Sequence, residues 1–135
     1  MADLPPAILL DMDDTILVVS GSARRVWTRI AEDFAAALAP LSPEDVVAAI
    51  EGESQRLWND TAWNRHWRVR LAEARRHVVA SAFAVFAGAG QPVPETEVGD
   101  KMADLFTMIR DEELSVFPRA HEALDGLKRL GCGWP

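Results

Sequence analysis

Asp11, Asp13 and Asp14 fall within four positions of one another, directly after the apolar run Ala7-Ile8-Leu9-Leu10, and Thr15 follows them. A chain that buries an apolar run as a strand and then places charge at its end does so where the backbone emerges into a cleft. Side chains alternate across a strand, so Asp11 and Asp13 are expected to project to one side while Met12 points elsewhere. Two carboxylates facing one centre suit phosphoryl transfer. One attacks phosphorus to form an acyl-phosphate; the other protonates the leaving oxygen and later activates water. Adjacent acids also bind a hard cation. The competing reading is an acidic cluster that caps a helix or solvates a turn. A calcium-binding loop does not fit, because Ile16 stands where that loop needs its glycine.

The segment Asp11-Met12-Asp13-Asp14-Thr15 after an N-terminal apolar strand resembles the first motif of the haloacid dehalogenase-like (HAD) hydrolases. The resemblance implies Asp11 as nucleophile and Mg²⁺ ligand, and Asp13 as general acid/base whose backbone carbonyl also touches the metal. It implies Thr15 as a positioning residue and leaves Asp14 as a variable slot. Asp13 favours a phosphatase-type or phosphomutase-type member over a dehalogenase, which is the weaker alternative. The implied fold is an α/β Rossmannoid core with an α-helical cap inserted after the first motif, and the implied substrate is a small phosphorylated metabolite.

The elements that must position these residues are mostly helical. Ile16 to Val19 and Ser20-Gly21-Ser22 read as a short flap that hands over to a helix from about Ala23 to Leu38, with Val26, Ile30, Phe34, Ala37 and Leu38 on one stripe. Ser42-Pro43-Glu44-Asp45 marks a second helix reaching Trp58, with Ser42 as its cap. Asn59-Asp60-Thr61 is a break, and one long helical pattern runs from there to about Ala87. A further helix fits Glu95 to about Glu113. Phe117-Pro118 opens a last one through Leu130, with Ala120, Leu124, Leu127 and Leu130 as its buried side. The expected division is residues 1–21 as first core strand, catalytic loop and flap, 22–114 as helical cap, and 115–135 as the return to the core. The chain is therefore expected to be mostly α-helical with one core strand.

After Gly131 the sequence reads Cys132-Gly133-Trp134-Pro135. The family's second strand with its Ser or Thr, its lysine and its later acid pair do not occur up to that point. The expectation is a truncated hydrolase fragment with little activity of its own. The alternative is a non-catalytic helical module that self-associates through uncovered core surfaces or binds a partner.

Arg65, His66, Arg68, Arg70, Arg75, Arg76 and His77 form one basic patch in a chain of net charge -7. Arg65, Arg68 and Arg76 on adjoining helical turns would offer forked donors to an anionic substrate; otherwise the patch is a solvated face paired with Glu32, Glu51, Glu53 or Glu73. Trp58, Trp63 and Trp67 are expected to pack together as core rather than bind substrate. His121 is expected to be exposed. The negative charge argues against nucleic acid as partner, and no apolar run reaches membrane-spanning length. A single cysteine, Cys132, excludes an internal disulfide and fits a reducing, cytoplasmic setting.

Overall fold

The computed structural model describes residues 7–18 and 22–131. The readings placed on Met1 to Pro6, on Val19, Ser20 and Gly21 and on Cys132 to Pro135 lie outside them. The chain is mostly helical with one two-stranded sheet, and it divides into two compact units, Gly21–Glu112 and Met1–Ser20 with Glu113–Pro135.

In the helical unit the chain folds as α1 (Ser22–Asp33), α2 (Ala35–Leu38), α3 (Pro43–Asn59), α4 (Thr61–Trp67), α5 (Leu71–Gly88) and α6 (Thr96–Glu113). The start of α3 follows its sequence signature. The Ser42 hydroxyl accepts from the Asp45 N–H at 3.1 Å and donates to the Asp45 carboxylate at 2.7 Å, while Pro43 fills the first turn, where no N–H partner is needed. Val46, Val47, Ile50 and Leu57 form the buried stripe of α3, which packs against α1 and α5. Val26, Trp27, Ile30 and Ala31 from α1 meet it, and Val78, Val79, Ala82 and Phe83 come from α5. Helix α6 closes the unit with Met102, Ala103 and Phe106, the last stacked on Trp27 at 4.1 Å between ring centroids.

Two expected helices are each divided. At Phe34 the backbone opens to φ -96° and ψ 7°, yet the Phe34 N–H still reaches the Ile30 carbonyl at 3.0 Å. The chain bends there instead of stopping, and Leu38 and Leu41 turn into the core while Ala37 stays exposed. The pattern expected as one helix from Thr61 to Ala87 is two helices. Arg70 leaves the helical region at φ -134° and ψ 54°, its N–H caps the Trp67 carbonyl at 2.8 Å, and its guanidinium turns to Glu73 in the first turn of α5.

The other unit holds β1 (Leu17–Val18), β2 (Ser115–Val116) and α7 (Ala120–Arg129). The strands pair antiparallel, Leu17 with Val116 and Val18 with Ser115, and the Phe117 N–H extends the ladder to the Ile16 carbonyl at 2.9 Å. The chain enters and leaves the helical stretch through this ribbon. The buried core strand expected over Ala7 to Leu10 is not formed: Ala7 carries a single bridge, Ile8 is half-buried, and Leu9 is 88% exposed. The reason is physical. A strand is fixed by neighbours that pair its N–H and C=O groups and cover its faces, and no neighbouring strand lies alongside it among the described residues. Helix α7 begins later than expected, at Ala120, because Arg119 adopts a left-handed φ of 66°. Its apolar side is incompletely covered, with Ala120, Leu124 and Leu127 half-buried and Leu130 exposed.

Two helical glycines differ in what surrounds them. Gly52 in α3 has open space where a Cβ would stand, whereas at Gly99 in α6 that Cβ would meet Phe83 Cε2 at 3.0 Å and Val79 Cγ1 at 3.2 Å. Gly52→Ala is expected to raise stability by about 1 kcal/mol through helix propensity alone. Gly99→Ala is expected to lower it by about 1 kcal/mol or more, because crowding against buried side chains outweighs the same gain. Urea denaturation of the two variants checks the opposite signs.

Candidate functional site

The acidic segment is a tight loop, not a helix. Its hub is the Met12 carbonyl, which accepts from the Ile16 N–H at 3.0 Å and the Leu17 N–H at 2.9 Å. The Asp14 N–H donates to the Leu17 carbonyl at 2.8 Å, and Asp14 itself sits at φ 54°, in the left-handed region that Asp tolerates better than most residues. Asp13 bridges to Leu17, so the loop runs straight into β1. The backbone is thus held on both sides of Asp13. The carboxylates of Asp11 and Asp13 and the Thr15 side chain stand at exposed positions.

Thr15 opens on a cleft of about 500 Å³ that Phe117, Arg119, Ala120 and Arg129 also line. Neither Arg119 nor Arg129 stands out in the sequence as a site residue. Arg119 sits in a left-handed turn, which no residue pattern announces for a non-glycine, and it is tied to Glu122 at 3.0 Å. Oxygen-only donors such as Asp11 and Asp13 match the preference of Mg²⁺, which is often held by one or two carboxylates together with waters and substrate phosphate. Among the described residues no three His, Cys, Asp or Glu side chains converge as a metal-holding group, so Asp11, Asp13 and Asp14 do not make such a cluster by themselves.

The three arginines expected to act together are separated. Arg65 lies on α4 and Arg68 caps it, and both line a polar pocket of about 380 Å³ with Trp58, Asn59, Thr61 and Asn64. Arg76 lies on α5, where its guanidinium grips the Asp104 carboxylate of α6 with two bonds, at 2.8 and 2.7 Å. It also borders a largely apolar pocket of about 220 Å³ with Phe83, Val93 and Gly99. The break at Arg70 is what divides the set. The expected pairing with Glu73 occurs, but through Arg70, while Glu51 and Glu53 pair with Arg24 and Arg56.

The tryptophans do gather. Trp58 meets Trp63 edge to face at 4.7 Å, Trp63 lies 5.9 Å from Trp67, and the His77 ring of α5 stacks on Trp67 at 5.6 Å. All three indoles are half-buried, and Trp63 packs against the core. Its Nε1 is buried without an acceptor among the described residues. His121 is exposed, as expected.

The resolved electrostatic perturbations include two ion pairs and one buried guanidinium. Hydrogen bonding from Arg76 holds the Asp104 carboxyl below the usual range and raises Arg76 in turn, and Arg56 does the same to Glu53. Burial lowers Arg75, whose guanidinium lies 5.4 Å over the Phe106 ring.

No family model, curated protein or solved structure matches this chain. Among the described residues no helix is long and apolar enough to cross a membrane.

The Arg76–Asp104 bridge has a defined acid signature. A carboxyl whose folded pKa is lowered contributes stability above its unfolded pKa and loses it as pH falls through the folded value. Asp104→Asn is therefore expected to lower Tm modestly at neutral pH, since both side chains are half exposed and screened. The difference from the unsubstituted chain is expected to shrink as pH drops below about 4, and also in high salt. Thermal melts across pH and ionic strength measure both.

Proposed function

We propose that this chain carries the nucleophile loop and helical cap of a HAD-like phosphohydrolase, acting on a small phosphorylated metabolite through an aspartyl-phosphate. The observation that carries the reading is the order of parts. Asp11, Asp13 and Thr15 occupy a tight loop that leads into β1, and β1 pairs with β2 across the intervening helical unit. An insertion that leaves and returns through adjacent strands right after the acidic loop has the layout that the resemblance implies.

In this mechanism the Asp11 carboxylate attacks phosphorus and the bond to the leaving oxygen breaks. Asp13, as its acid, protonates that oxygen. Asp13 then takes a proton from water, whose oxygen attacks the acyl-phosphate and releases phosphate with Asp11 restored. The Asp11 carboxylate and the Asp13 carbonyl are the groups that would hold Mg²⁺, whose chemistry there is to offset the phosphate charge. Full catalysis also calls for a counter-charge to phosphate and further metal acids, in addition to the acidic loop.

A second reading rests on a different observation. Leu9, Met12, Phe117 and Leu130, all in the unit that holds the ribbon, are exposed, with Leu9 at 88% and Leu130 at 61%. Such surface favours a module that self-associates, whether or not it is catalytic. A mass that rises with concentration in light scattering supports it, and a stable monomer at micromolar concentration removes it.

The test of the hydrolase reading uses the full-length protein with Mg²⁺ and p-nitrophenyl phosphate. Asp11→Asn is expected to reduce turnover to background, and Asp13→Asn to reduce it by about 10²–10⁴-fold. Unchanged turnover in Asp11→Asn would falsify the mechanism.

A further inference from the structure

We infer that the pocket lined by Trp58, Asn59, Thr61, Asn64, Arg65 and Arg68 is a binding site for a phosphorylated heterocycle of the nucleoside monophosphate class. The pocket lies wholly within the helical unit, to which Asp11 does not belong.

Its basis is what the six side chains have left to offer. Arg65 and Arg68 are one helical turn apart and, unlike Arg24, Arg56, Arg70 and Arg76, make no ion pair among the described residues. What sets this pair apart is that both guanidinium groups line one pocket with no carboxylate partner among the described residues, and their forked geometry matches phosphate oxygens. The nearest acids in sequence, Asp60 and Glu73, are already used, Glu73 by Arg70. The Asp60 carboxylate accepts from the Trp63 N–H at 2.7 Å as the cap of α4.

The rest of the lining selects more than a bare anion. Asn64 donates through Nδ2 to the Trp58 carbonyl at 3.2 Å, which fixes the amide and leaves its oxygen to accept. Asn59 adds a second amide and Thr61 a hydroxyl, so donors and acceptors stand together as the edge of a heterocycle requires. Trp58 supplies an aromatic wall, itself held by its contact with Trp63. The volume, about 380 Å³, lies in the range of small-molecule sites. A polynucleotide is disfavoured because the chain's overall charge repels a phosphate backbone, whereas one phosphate meets only the local pair of cations.

Isothermal titration calorimetry on the full chain, without added metal, tests the site with adenosine monophosphate, adenosine and inorganic phosphate as probes. The expected result is saturable binding of adenosine monophosphate, with adenosine and phosphate each at least about tenfold weaker. Arg65→Gln and Arg68→Gln are each expected to weaken adenosine monophosphate by about tenfold, with helicity by circular dichroism unchanged at these exposed positions. Arg29→Gln, an exposed cation on α1, is the charge-matched control and is expected to bind like the unsubstituted chain. The proposal is overturned if adenosine monophosphate fails to saturate below about 10 mM, or if either half-ligand matches it. It is also overturned if either pocket variant binds normally, or if Arg29→Gln weakens binding as much as they do. Asp11→Asn is expected to retain binding, so loss of hydrolysis and loss of this site are read separately.

Discussion

The pairing of Leu17–Val18 with Ser115–Val116 is the constraint on which the layout rests. It joins points roughly a hundred residues apart, and closing so long an excursion has an entropic cost that grows only slowly with length. Two residues a side is a short ladder for that task. The helical unit assists from within. Arg110 near the end of α6 donates to the Ser22 hydroxyl at the start of α1, and Trp27 stacks on Phe106, so the first and last helices of the excursion already touch. Packing in the helices and hydrogen bonding in the ribbon therefore favour the same closure.

What could be read in advance follows from how local each cause is. The start of α3 was legible because Ser42, Pro43 and Asp45 act within one turn, and its end near Trp58 because Asp60 caps the next helix. The helical bias was legible from apolar spacing. The bends at Phe34 and Arg70 were not, since neither residue breaks helices by nature and each is turned by what surrounds it: the core in one case, Glu73 in the other. The late start of α7 has the same character, because a left-handed arginine leaves no sequence signal. The expected strand at Ala7 to Leu10 shows the opposite limit. Its composition is that of a buried strand, but burial is a property of neighbours and not of the segment.

The candidate site was legible to the same degree. Asp11, Asp13 and Thr15 stand out from type and spacing alone, and the loop that holds them adds backbone restraint through Met12 and Asp14. The arginines were legible as a patch but not as a set. Whether two cations cooperate depends on the break between α4 and α5 and on which carboxylate reaches each first. Asp104 reaches Arg76 from a helix distant in sequence, and that leaves Arg65 and Arg68 as the pair with unused donors.

The contact between Ser22 and Arg110 has a consequence for how this stretch of polypeptide can be reused. A body whose entry and exit points touch is a self-contained insert, and such bodies tolerate transplantation into a host's surface loop and rejoining of their ends. A short tether between those two positions, with a new opening cut at the glycine-containing turn Gly88–Gln91 after α5, would reorder the helices along the chain while keeping every buried neighbour.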